Sequence, residues 1–225
     1  MKKGDFIWGG ALILWIAILA IPRGREVFIA TTEAYPYIGG FFKFAILATM
    51  GELLGIRVMR GDWKKPNGLI FRAVIWGALG VVITLALPVF SSGVTNAQEI
   101  GRLPFKGSNF AHALLTSTVM NILQSPAIFL FHKCTDTYID EKYNRNGSKV
   151  TLKDVSDKID WYTYLNFTVL KTIPFFWIPC HTIVFLFPAE YRVIAAAFAS
   201  IALGLILALA NKSKSKTNLI EANQN

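Results

Sequence analysis

Apolar and polar positions segregate along this chain into six long hydrophobic runs, at about 6–21, 37–58, 69–90, 110–131, 167–187 and 193–210, separated by short polar loops. Each run is close to the roughly 17–25 residues that a helix needs to cross the hydrocarbon core. In lipid every backbone amide must be satisfied inside its own segment, so runs of this kind are read as helices. The pattern predicts an all-α fold: a polytopic membrane helical bundle of six transmembrane helices in a single integral membrane domain, 1–225.

Smaller features refine that picture. Lys2 and Lys3 before an apolar run resemble a signal peptide, but Ile18 and Ala20 make a poor cleavage site and Pro22 follows at once, so 6–21 is read as an uncleaved anchor. Pro36 suits the first turn of the second helix, where its missing amide is tolerated. Gly51 and Gly55 have the spacing that permits close helix approach, and Ala195–Ala197, Ala199, Ser200 and Gly204 give the last helix a small-residue face. Between the fourth and fifth runs, Thr151 and Asp154 make a capping-box start. Leu152, Val155, Ile159 and Tyr162 then share one face, which predicts a short amphipathic helix over 151–164 on the inner membrane surface. Pro174, Pro179 and Pro188 predict a bent or broken fifth helix.

The chain carries 23 Lys and Arg against 14 Asp and Glu, a formal charge of +9. In a soluble protein this would suggest nucleic acid. Here the cations crowd into alternate loops, with Arg57, Arg60, Lys64, Lys65, Lys133, Lys142, Arg145 and Lys149 among them, which is the bias of cytoplasmic loops. The expectation is a cytoplasmic (inner) membrane with both termini inside, or an organelle membrane, and no nucleic-acid partner. Arg72, near the inner end of the third helix, is expected to snorkel to the phosphates.

Catalytic signals are poor. His112, His132 and His181 form no ligand pair at helical spacing, no nucleophile elbow or phosphate loop occurs, and Cys134 and Cys180 are read as free thiols. Neither an enzyme nor a cofactor or metal is expected. The informative residues are polar ones at membrane depth, because burying them is expensive. These are Lys43 and Glu52 in the second helix, Ser117, Asn121 and Gln124 on one narrow face of the fourth, and His181 in the fifth. Lys43 and Glu52 lie nine residues apart and so point to opposite faces. The set reads either as a wet path between helices or as interhelical hydrogen bonding, worth only about 0.6 kcal/mol per bond.

Several motifs resemble those of the Mpv/PMP-type family of small peroxisomal and mitochondrial inner-membrane proteins and its bacterial relatives. They are Tyr35-Pro36-Tyr37, Gly51-Glu52, the Pro126 segment, Trp177, and Pro188 with Tyr191-Arg192. Other positions depart: Met120-Asn121 stands where that family has Asp-Gln, and 6–21 is an additional helix. The resemblance implies a weakly selective channel, with Glu52 on the path and Arg192 anchoring the last turn. Together these readings predict a channel or solute conduit for small solutes or ions, embedded in lipid, with small-residue faces that also permit a homo-oligomer. The alternatives are a substrate-binding membrane subunit of a larger transporter and a non-conducting structural or stress-response protein.

Overall fold

The computed structural model describes residues 2–222, with the side chains beyond 206 (Leu209 apart) outside the described part. Nine helices account for nearly all of it: α1 Lys3–Ala20, α2 Pro22–Ala34, α3 Pro36–Arg60, α4 Leu69–Glu99, α5 Asn109–Leu123, α6 Ser125–Asn144, α7 Leu152–Lys158, α8 Trp161–Leu186 and α9 Ala189–Ala222. No strand occurs among the described residues. Local chemistry sets the boundaries. Proline opens α2 and α3. Gly61 and Gly68 adopt left-handed backbone on either side of the α3–α4 turn, a conformation open to glycine because it lacks a Cβ. The Ser108 hydroxyl accepts the Ala111 amide to cap α5.

Four helices are long and apolar enough to cross a membrane: α1, α4, α8 and the Ala189–Ile206 part of α9. The bent pair α5 and α6 makes a fifth if it counts as one span. The run at 37–58, expected as a span, becomes α3, which is not among those helices. α3 is nevertheless the centre of the bundle, packed between α4 and α9. Leu47 on α3, Leu87 on α4 and Ala197 on α9 are essentially inaccessible in the resulting core.

Small residues make this packing close. A Cβ on Gly204 would stand 2.8 Å from the Gly51 carbonyl oxygen, and one on Gly51 would stand 3.0 Å from the Ile201 Cα. The Gly51 spacing and the small face of the last helix are thus the two halves of one interface. α1 lies at the edge with no residue buried. Its start is pinned to the end of α3 by Arg57 on Asp5 at 2.9 Å and by the Trp63 indole on Asp5 at 2.8 Å.

Three expectations need correction. The fourth run is broken at Gln124, where α5 and α6 meet at 44°, and α6 then continues to Asn144 through what read as the start of a loop. The amphipathic helix expected over 151–164 is only Leu152–Lys158, because Ile159 is extended and a new helix starts on the Asp160 cap. It does not lie flat with one apolar face outward: Val155 and Ile159 are buried against the protein, while Leu152 and Tyr162 point away. The last helix also runs past 210, with backbone helical to Ala222; the tail cations Lys212, Lys214 and Lys216 fall where side chains lie outside the described part.

The prolines of α8 have a visible effect. Tyr164–Trp177 is a π-helix, with the Ile178 amide bonded to the Ile173 carbonyl five residues back. Pro174 and Pro179 each lack a donor and would crowd the carbonyl four residues earlier. Wider turns relieve that crowding.

Candidate functional site

Two polar assemblies and a cavity between them occupy the interior of the bundle. The first is a charge hub at the basic end. Arg72 sits in the first turn of α4, only 5% exposed. Its Nε donates to the Asn67 carbonyl at 3.0 Å, its Nη1 reaches Glu52 at 3.3 Å and Asp136 at 2.9 Å, and its Nη2 reaches Asp140 at 2.7 Å. The guanidinium does not snorkel outward as expected. It has carboxylates on α3 and α6 within reach, and a fork of donors is better satisfied by them than by a stretched stem. His132, Asp136 and Asp140 recur every four residues, so they line one stripe of α6.

Three carboxylates face one guanidinium here, and the hub is incompletely bonded. Glu52 Oε2, Asp136 Oδ1 and His132 Nε2 are buried without a partner. The His132 ring lies against Trp76, centroids 4.1 Å apart. Trp76 also stands beside the Glu52 carboxylate, yet its Nε1 closes no hydrogen bond.

The second assembly is a knot centred on Asn121 of α5, which is 0% exposed. Its Nδ2 donates to the Ser117 carbonyl at 2.8 Å, and its Oδ1 accepts from the Ser125 hydroxyl at 2.8 Å. The His181 Nδ1 on α8 lies 3.0 Å from Asn121 Nδ2. The Ser117 hydroxyl donates to the Ile178 carbonyl at 2.7 Å, tying α5 to α8 a second time. Trp177 stacks on His181 with centroids 5.0 Å apart.

Between hub and knot lies a cavity of about 50 Å³. Trp76, Gln124, Ser125, Trp177, His181 and Ser200 are polar residues on its wall, and Phe44, Met120 and Phe129 are among the apolar ones. A water needs about 10–15 Å³ of such space, so the cavity has room for roughly three to five. Trp177 is 6% exposed and its Nε1 has no partner. A buried indole N–H normally finds an acceptor, and leaving it unmade costs about 1–3 kcal/mol.

The structure therefore sorts the six polar candidates. Ser117, Asn121 and His181 come together, Gln124 reaches the cavity wall, and Glu52 belongs to the hub. Lys43 stands apart: it is buried, donates to the Thr32 hydroxyl at 2.7 Å and lies 4.5 Å over the Phe28 ring. Glu52 and Lys43 face different neighbours, as their spacing requires.

Residues that resemble family motifs serve packing and capping. Pro36 starts α3, the Pro126 carbonyl accepts the Tyr164 hydroxyl at 2.7 Å, and Pro188 separates α8 from α9. Tyr191 stacks on Phe28, and Arg192 donates to the Phe187 and Phe185 carbonyls at the end of α8.

Sequence reasoning missed Asp136, Asp140 and the buried role of Arg72. The available signal was the four-residue repeat His132, Asp136, Asp140, which continues the helix where the apolar run stops. Among the described residues no group of three or more His, Cys, Asp or Glu is placed to hold a metal ion, and Cys134 and Cys180 are free thiols.

These features define a helical membrane bundle whose buried charges, hydrogen-bond knot and cavity follow one another through its interior. No family model, curated protein or solved structure matches the chain.

Proposed function

We propose that this chain is a small-solute conduit of the cytoplasmic membrane, here in a closed form. The observation that carries the reading is a succession of costly polar groups through an otherwise apolar bundle: the Arg72 hub, Trp76, the cavity, then His181 and Asn121. Such groups are expensive in a membrane and accumulate along substrate and ion routes. A cavity of about 50 Å³ is too small for an open pore, so passage requires the helices around it to part.

In this proposal α3 is the sixth crossing. Its 25 residues rise about 37 Å, and it crosses inside the bundle, where its charged groups meet protein partners rather than lipid. Six crossings put both termini on one side, and the basic end (Arg57, Arg60, Lys64, Lys65, Lys142, Arg145) faces the cytoplasm. An organelle membrane would orient it by the same rule. The Mpv/PMP-type resemblance belongs to the same proposal, with Glu52 at the mouth of the path and Arg192 holding the turn between α8 and α9.

A second reading has its own support. Asn121 spends its amide entirely on protein groups, which is what a non-conducting structural protein would do. Solute flux in proteoliposomes containing only this chain separates the two. The conduit reading expects uptake of small solutes above empty vesicles, altered several-fold by Glu52→Gln and by Asn121→Leu. Folded, inserted protein that moves no solute would end it and leave the structural reading.

A further inference from the structure

The six tryptophans do not stand alike. The Trp8 indole donates to the Met50 carbonyl at 2.9 Å, Trp63 to Asp5 at 2.8 Å and Trp161 to the Ser156 carbonyl at 3.1 Å. Trp76 and Trp177, both on the central cavity, donate to nothing, and Trp177 is as deeply buried as any of the six. It is also the one stacked on His181, whose Nδ1 is spent on Asn121, leaving Nε2 on the other edge of the ring. Both side chains line the central cavity, with Gln124 and Ser200 on its wall. No Asp, Glu, Lys or Arg lines it.

We propose that this cavity is a binding site for a small uncharged solute bearing a hydrogen-bond-accepting oxygen, an alcohol or a carbonyl compound of about two to four heavy atoms. The Trp177 N–H takes the acceptor oxygen. Phe44, Met120 and Phe129 take the apolar body. An ion is refused, because it would be desolvated with no counter-charge on the walls. In naming a solute class for the conduit the inference rests on the conduit reading, but binding at equilibrium and flux are measured separately.

The full-length chain, labelled with ¹⁵N at its indoles and held in lipid nanodiscs, is titrated with ethanol and with propane, which matches it in heavy atoms but has no acceptor. The expected result is a saturable downfield shift of the Trp177 indole proton with ethanol. Propane should give none, and Trp8 and Trp63 should stay still because their donors are already occupied. Ala196→Val, which narrows the cavity from α9, should weaken the ethanol response at least threefold. His181→Phe offers a second variant should the first not fold.

A response shared by all six indoles, or an equal response to propane, overturns the proposal. So does a Trp177 proton already at a bonded position that ethanol leaves unmoved, which assigns the cavity to water alone. Ethanol binding without flux would leave the site standing and end the conduit reading; flux without binding would do the reverse.

Discussion

Removing the Arg72 guanidinium is the sharpest perturbation of the interior. Arg72→Leu leaves a shorter, apolar side chain and deletes every Arg72 donor to Glu52, Asp136 and Asp140. The Glu52 and Asp136 side chains are each only 21% exposed, whereas Asp140 is 51% exposed and water can take over its bonds. Breaking a buried pair by removing one partner costs about 3–5 kcal/mol, because the other charge is stranded. The half-exposed Asp140 contact adds about 0–1 kcal/mol. Partial exposure of the two stranded carboxylates favours the lower end, about 3 kcal/mol.

For a chain of this size that loss lowers the melting temperature by roughly 6–12 °C. The assay is thermal unfolding in one lipid or detergent, followed by circular dichroism. Arg72→Lys should lose less, since one ammonium serves one carboxylate but cannot fork between several. In the Arg72→Leu background, Glu52→Gln with Asp136→Asn should recover much of the loss, because the stranded charges are gone. An Arg72→Leu protein melting within 2 °C of wild type, or one made still worse by neutralising both carboxylates, would refute the stranded-charge reasoning.

Two further outcomes follow from the structure. Gly204→Leu should disrupt α3–α9 packing, since even a Cβ there meets the Gly51 carbonyl at 2.8 Å, while Gly93→Ala, with nothing within 4 Å and inside α4, should not lower stability; comparing detergent-resistant folded yield of the two variants checks this. Hydrogen bonds from the Thr151 hydroxyl, then from Arg145 and the Thr151 amide, hold the Asp154 carboxyl well below the usual carboxylate range. Its support of α7 is therefore complete above the unfolded value near 4 and fades as pH falls through the lower folded one. Amide exchange in α7 should accelerate only below about pH 4, and a pH profile unchanged by Asp154→Asn would contradict the assignment.

Helix content was legible because lipid imposes it: long runs free of charge have no alternative to intra-segment hydrogen bonding. The Gly51 spacing and the small face after Ala195 were legible as surfaces, though not as partners of each other, because pairing is a three-dimensional fact. The end of α6 was not legible. Hydropathy falls at His132, and a run-based reading ends the helix there, yet one stripe of His132, Asp136 and Asp140 stays helical to reach Arg72. The same boundary hid the role of Arg72, since two of its three carboxylate partners, Asp136 and Asp140, fall beyond it. In α7 the apolar residues were found but their face was divided, with Val155 and Ile159 turned to protein rather than to lipid. Lys43 and Glu52 are both costly, and each meets a different neighbour: a hydroxyl and an aromatic face for one, a guanidinium on one of its two oxygens for the other.

The π-helical stretch from Tyr164 to Trp177 gives α8 slack that its neighbours lack. Each wide turn there can tighten to an ordinary turn if another opens along the chain, so the loose region can travel without uncoupling the two ends. Those ends are fastened, by the Asp160 cap at one and by Arg192 on the Phe185 and Phe187 carbonyls at the other. A shift of one residue at Trp177 turns the helix face by about 100°, swinging the indole out of the cavity and another side chain in. The wide turns thus leave α8 room to change register that an ordinarily wound helix lacks.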